Sequence, residues 1–384
     1  MLDDERLNIE SSNFDSMVFE EEDLGNSENE ITEPFDPKKV EVQILSLSID
    51  NLTKRLLHDE IDLAPDFQRS PDLWPKNIQS RLIESLLINL PIPAFYFDAS
   101  KAEKWQVVDG LQRLSTLKSF IIDKKFMLTG LEFLKDLNGK KFDQLSRPLQ
   151  RRIEEFNITA YVIKPGTPTN VKYSLFRRIN TGGMPLNHQE IRHAISQGVN
   201  AGQASKFLKE LTFDENYRKI IHISGNRMSS HELILRHMAF AIEGVKGYKS
   251  SLVKFLDDAM VKIGTLEKIK LTEYKKAFAN AMSLAYKLFG ENAFKKSYVD
   301  EKANKVVNKP LFEALSVVLS KLTDEEGAKL LYMKKNFLRE FKELMLETKF
   351  SGSISRSTAN TDNVNYRFKK IEKLVDSHSK ELKC

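Results

Sequence analysis

The sequence predicts an α+β protein: a mixed α/β domain over residues 40–200, then an all-helical domain over 201–384, preceded by an acidic arm at 1–39. Three observations predict it. Between 40 and 200, short β-rich runs alternate with amphipathic helical ones. Beyond 200, long helical segments follow one another, several separated by glycine or proline, with no fixed repeat period. Charge is segregated as well. Residues 1–36 hold thirteen acidic groups and one basic group, Arg6, a net −12 in a chain of net +5, so the remainder carries +17.

Taken in order, the arm reads as a solvated, disordered leader. A second reading is that it folds back onto the basic body and competes for the same surface. LSIDNLTKRLL reads as a short helix capped at Asp50, and IDLAPDFQRSPDLWP as a strand or extended loop with prolines at both ends. In KNIQSRLIESLLINL the residues Ile78, Leu82, Ile83, Leu86, Leu87 and Leu90 repeat at helical spacing, with Gln79, Arg81, Glu84 and Ser85 opposite, and Pro91 and Pro93 end the helix. AFYFDAS and WQVVDG read as strands, the second stopped by an Asp-Gly turn. LQRLSTLKSFI is a helix with Leu111, Leu114, Leu117, Phe120 and Ile121 as its apolar stripe. Residues 126–164 add a small strand, the GKKFDQL turn, the helix RPLQRRIEEF and the strand NITAYVI. TNVKYSLFRRIN reads as helix, TGGMP as a turn, and a new helix starts at Asn187, where Asn187 and Glu190 match a capping box. SSHELILRHMAFAIEG, KPLFEALSVVLSKL and their neighbours build the helical part.

The 384 residues are long for one core. A composition of 41% hydrophobic and 29% charged residues is that of a soluble globular protein. No run of eighteen apolar residues exists, so no membrane span is expected, and the acidic, polar start is not a secretory signal. The single cysteine, Cys384, excludes an internal disulfide and a thiolate zinc site, which points to a reducing cytoplasm. The basic body fits a polyanionic partner such as DNA.

Three polar clusters stand out in the α/β part: Gln68-Arg69 with Trp74 nearby, Asp109-Gly110-Leu111-Gln112-Arg113, and Arg177 to Gly183. The second lies where a strand turns into a helix. First-turn amides favour an anion there, Arg113 can clamp a phosphate, and Asp109 can cap the helix or hold a divalent metal. The alternative is that Asp109 only caps and Arg113 only pairs with a surface acid. Trp74 offers a ring face to a base or, more simply, to a core. Gly182-Gly183 lets backbone approach a ligand or merely makes a tight turn. No GxxxxGK[ST] loop and no GxSxG elbow occurs.

Together, "PDFQR…W", "LIESLLINLPIP", "VVDGLQRLSTL", "FRRINTGGMPLNHQEIRHAI" and "TANTDNVNYRF" resemble the GmrSD-type restriction endonuclease N-terminal domain family, related to ParB-like nuclease and sulfiredoxin folds. The resemblance covers residues 40–200 strongly and runs loosely to about 370. It implies a ParB/sulfiredoxin-like α/β domain that binds and hydrolyses a nucleoside triphosphate with Mg2+. The family's Asp-Gly-Gln-Gln-Arg motif maps onto Asp109, Gly110, Gln112 and Arg113, with Leu111 in place of the first glutamine. The phenylalanine-glutamine-arginine element maps onto Gln68 and Arg69, and the asparagine-glycine turn onto Asn180, Gly182 and Gly183. In the implied site Arg69 and Arg113 clamp phosphates, Asp109 holds the metal or orients water, Gln112 positions the reacting group, and Asn180 with its glycine turn closes over the nucleotide.

Longer family members add an HNH nuclease domain. Here His231 and His237 are six residues apart, His188 and His193 five apart, and His378 stands alone, so no HNH site is visible. No cysteine serves sulfiredoxin chemistry. The expected function is a nucleotide-binding, DNA-acting protein of restriction or anti-phage defence. Two alternatives stand beside it: a metal-dependent nuclease using Asp66, Asp109 and Glu190, and a non-enzymatic DNA-binding or regulatory subunit of a separate nuclease.

Overall fold

The computed structural model describes residues 22–23, 41–63, 74–99, 103–168, 171–172, 175–176, 188–196, 202–221, 228–249, 251–300 and 302–380. Gln68, Arg69, Asn180, Gly182 and Gly183, with Asp66 and Asn187, therefore lie outside the described residues. The chain forms two compact units, one of residues 34–198 and one combining 1–33 with 199–384.

The first unit is built on a five-stranded mixed sheet. Its strands are β1 (Val42–Ser48), β2 (Ile61–Asp62), β3 (Phe95–Asp98), β4 (Trp105–Asp109) and β5 (Asn157–Ile163), in the order β1-β5-β3-β4-β2. β5 runs antiparallel to β1 and parallel to β3, and β3 antiparallel to β4. Ile158, Ala160 and Val162 of β5 alternate onto the same face as Phe95, Phe97 and Val107, where they form one core with the helices' leucines and isoleucines. These helices are α1 (Ile49–Leu57), α2 (Lys76–Leu87), α3 (Leu111–Leu117) and α4 (Arg147–Glu154). α5 (His188–Ser196) follows β5 in the chain.

Four local expectations change. The start of the LSIDNLTKRLL run is strand rather than helix, because Val42–Ser48 forms an edge strand that pairs with all seven residues of β5. Ser48, not Asp50, caps α1: its hydroxyl accepts the Asn51 N–H at 3.2 Å, while Asp50 pairs with Lys54 at 2.7 Å. Between 124 and 156 no strand forms. Leu128 instead exchanges hydrogen bonds with Gly139 and Lys140 (2.7 and 3.0 Å). The polar side of α2 is not solvated either. Gln79, Ser80 and Glu84 are buried under that 126–137 segment. Ser80 Oγ accepts the Thr129 N–H, and the Glu84 carboxylate accepts three successive N–H groups, of Glu132, Phe133 and Leu134, at 2.8–3.0 Å. Burial alone raises the Glu84 pKa, but these three donors outweigh it and hold the group below the ordinary carboxylate range.

The second unit is helical. Its helices are α6 (Gln203–Leu211), α7 (Glu215–Ile220), α8 (Ser229–Glu243), α9 (Leu252–Thr265), α10 (Lys268–Phe289), α11 (Lys309–Ser320), α12 (Asp324–Tyr332), α13 (Lys334–Leu346), α14 (Thr348–Ser353) and α15 (Thr361–Ser379). α11 is buried on every side from Leu311 to Leu319 and forms the centre of one large apolar cluster. That placement carries Glu313 and Ser316 into the interior, where each needs a partner. Ser316 meets the His237 ring at 2.9 Å. Among the described residues no helix is long and apolar enough to cross a membrane.

Candidate functional site

The geometry of the DGLQR turn is set by a bulge. Phe97 pairs with Val107, but Tyr96 pairs with Asp109, so β4 has one extra residue, Val108. Without it Asp109 would sit opposite Phe95 and point into the core. The extra residue moves Asp109 to the other face, because side chains alternate with period two. Tyr96 also pairs with Tyr161 of β5. Tyr161, Tyr96 and Asp109 therefore form a lateral row across three strands on the face away from the helical core. The two tyrosine rings stack at 4.8 Å with planes 12° apart. One step along the same face, buried Asp98 pairs with buried Lys172 at 3.0 Å.

Gly110 makes the turn with φ of 102°, a conformation that L side chains rarely adopt. A Cβ there would come within 2.5 Å of the Phe95 ring. Asp109 does not cap α3: Gly110 is the cap residue, and no side chain caps the helix. The Asp109 carboxylate instead accepts from Arg113 Nη2 at 2.9 Å and from the Gly110 N–H. Burial pushes its pKa above the usual value, with Arg113 and the Gly110 N–H pulling only partway back.

Arg113 is nearly buried and faces inward. Nη1 donates to the Pro93 carbonyl and Nη2 to the Ala94 carbonyl at 3.2 Å, and the guanidinium lies 4.5 Å from the Phe95 ring centroid. Its ion-pair partner is Asp109, not a surface acid elsewhere. Gln112 is half-buried on the first turn of α3. Leu111 belongs to the core cluster beneath the sheet, so the position that departs from the family motif faces the apolar interior. Trp74 is half-buried, and its carbonyl accepts from Gln79 Nε2 at 2.8 Å.

The structure thus brings Asp109, Gly110, Gln112 and Arg113 together. It adds Tyr96, Tyr161, Asp98 and Lys172, which motif reading had not singled out. Tyr96 and Asp98 stand in AFYFDAS, where the alternation of Phe95 and Phe97 with Tyr96 and Asp98 marks a strand with one polar face. No comparable signal connects Lys172 to it. Among the described residues no group of three or more His, Cys, Asp or Glu side chains converges to hold a metal. Among the described residues on this face, Asp98 is paired with a buried lysine and Asp109 with Arg113. A separate open groove of about 830 Å³ lies between the ends of α2 and α4, lined by Arg147, Arg151 and Arg152. Glu154 and Glu155 pair with the first two, and Asp109 is not part of it.

An acid, an inward-facing arginine and a tyrosine pair thus meet at a strand–turn–helix junction of an α+β domain. Residues 53–196 match the model described as "GmrSD restriction endonuclease, N-terminal domain". No curated protein and no solved structure matches the chain.

Proposed function

We propose that the chain is a cytoplasmic restriction or anti-phage defence protein, with a ParB-related first unit that binds a nucleoside triphosphate at the β4–α3 turn and acts on or senses DNA. The observation that carries this reading is the row Tyr161–Tyr96–Asp109 beside Gly110, inside the segment that matches the restriction family. The stacked tyrosines suit the face of a base or sugar. Asp109 orients water or a phosphate-borne Mg2+, whose role is to neutralise phosphate charge. Phosphoryl transfer asks chiefly for such positioning and charge. Arg113 lends positive charge from beneath and holds the Asp109 carboxylate in place, while Gln112 reaches the phosphoryl group. Gln68, Arg69, Asn180, Gly182 and Gly183 complete the phosphate contacts in this reading.

Binding without efficient turnover is the second reading, and one observation favours it: Arg113 is engaged by its own backbone. The protein would then be a sensor or regulatory subunit working with a separate nuclease. Nuclease action by the first unit itself has less support, because among the described residues no group of three or more His, Cys, Asp or Glu side chains gathers to hold a metal, and Asp98 is held by Lys172. A panel of nucleoside triphosphates with Mg2+, with and without DNA, tests these readings by hydrolysis and calorimetry. Binding that Asp109→Asn and Gly110→Ala both abolish supports the site. Equal binding by wild type and both variants overturns it.

A further inference from the structure

The helical unit contains a buried charged cluster that is one anion short. Arg236 of α8, Lys309 and Glu313 of α11, Arg367 of α15 and Glu232 of α8 meet there. Arg236 Nη2 lies 2.9 Å from Glu232 and Nη1 3.5 Å from Glu313, Arg367 pairs with Glu313, and Lys309 is 3.4 Å from Glu232. Three cations thus face two carboxylates in surroundings where unbalanced charge is costly. The missing anion is Glu22, from the acidic arm. Arg236 Nη1 and Nη2 donate to its two oxygens at 3.1 and 2.6 Å in a bidentate pair, and the Thr358 hydroxyl donates to Oε1 at 2.7 Å.

The contact continues along the arm's backbone. The Thr358 N–H donates to the Asp23 carbonyl at 2.8 Å, and the Ser357 N–H to the Asp23 carboxylate at 3.1 Å. The loop that offers these donors is fixed from below. Arg367 donates to the Ser353 and Thr358 carbonyls at 3.2 and 2.7 Å, and Tyr248 to the Ala359 carbonyl at 2.6 Å. Ser357 holds a left-handed φ of 43°, which L residues adopt only when the surroundings hold them there. Thr358 and Arg367 both belong to the TANTDNVNYRF segment.

We infer that this pocket is an acidic-peptide recognition site, filled in cis by Glu22-Asp23, so that the arm is latched to the helical unit. The inference is independent of the nucleotide reading above. Its features are those of peptide recognition: a bidentate arginine for one carboxylate, and backbone donors for the next residue's carbonyl and side chain. Charge complements it, since residues 201–384 hold 34 basic and 23 acidic groups, a net +11, against −12 in residues 1–36.

The test uses the full chain and a labelled peptide of residues 14–31, followed by fluorescence anisotropy. In the wild type the tethered ligand occupies the pocket at an effective concentration on the order of millimolar. A chain carrying Glu22→Gln and Asp23→Ala, checked for an unchanged melting profile, is expected to bind the free peptide at least ~10-fold more tightly than wild type does. Thr358→Val on that background keeps the side-chain volume and is expected to weaken binding several-fold. Three results would overturn the inference: no binding to the released chain, equal competition by a peptide carrying the same two substitutions, or equal competition by a short DNA duplex.

Discussion

Arg113 and Arg236 are both nearly buried arginines, each within 2.9 Å of a carboxylate four positions away on or beside its own helix. Their remaining partners differ. Arg113 donates to two backbone carbonyls and faces a phenylalanine ring, so it fastens the chain before β3 to the turn after β4. Arg236 is surrounded by carboxylates, one of them delivered by a segment more than two hundred residues away. An arginine in a recognisable motif is not by that fact the one placed to receive an anion. What distinguishes the two is whether the protein's own carbonyls have already taken the donors.

The sharpest way to break this comparison is to remove each cation in turn. Arg236→Met leaves Glu22, Glu232 and Glu313 facing one another around a single arginine and a largely buried lysine. It is expected to destabilise the helical unit by about 3–5 kcal/mol. Arg113→Met leaves two carbonyls without their donor and an Asp109 that water can reach, for about 1–3 kcal/mol. Urea unfolding of both variants measures the difference. Equal losses would mean that the two arginines are structurally equivalent and that the distinction by partner is empty.

Acidity acts on His237 and on Asp109 with opposite sign. His237 is buried against Ser316 and Phe278, and burial pushes its pKa from 6.5 down to about 3. The unfolded chain takes up that proton first, so the helical unit loses stability as pH falls from about 6.5. Glu22 adds to the loss below pH 4.5: burial raises its pKa, but Arg236 in particular overcomes this and holds it low. Asp109 works the other way. Its raised pKa means the folded form takes the proton first, so its contribution to stability grows as pH falls through that value. Melting from pH 7 to 4 is expected to lower the transition of the helical unit by several kcal/mol. His237→Gln should flatten the upper part of that profile. A profile unchanged by His237→Gln would assign the pH dependence elsewhere.

Much of this was readable in advance, and the exceptions have physical causes. The helices of both units follow from their apolar spacing, and the strand–turn–helix at Asp109 from an Asp-Gly stop between two patterned runs. β1 escaped because four of its seven residues are largely exposed and its stability comes from β5, more than a hundred residues later. The polar side of α2 looked solvated because nothing local announces that a distant loop aims three N–H groups at Glu84. The bulge that turns Asp109 away from the core is a matter of pairing register, which a single strand does not encode. Glu22 was one acid among thirteen until Arg236 and Thr358 singled it out.

Leu111 tests the first region at a finer level. If position 111 faced the ligand, Leu111→Gln would restore the family motif and raise nucleotide turnover. Its place in the core predicts the reverse: a loss of about 1–3 kcal/mol in stability from burying an amide, with no gain in hydrolysis per folded molecule. Faster turnover in the glutamine variant would show that the side chain reaches the site after all.

The smallest expected effect concerns the second region and DNA. A latched arm whose residues 1–36 carry net −12 lies in the same chain as a helical segment of net +11, so it competes with any polyanion drawn to that segment. Releasing it with Glu22→Gln and Asp23→Ala is expected to tighten duplex binding about two- to five-fold, less than about 1 kcal/mol. The logarithm of affinity should also fall more steeply with the logarithm of salt, because phosphates then meet basic groups that the arm had been screening. An unchanged affinity and slope would mean that the arm screens no DNA-binding surface. The latch would then serve only to balance the buried charge around Arg236.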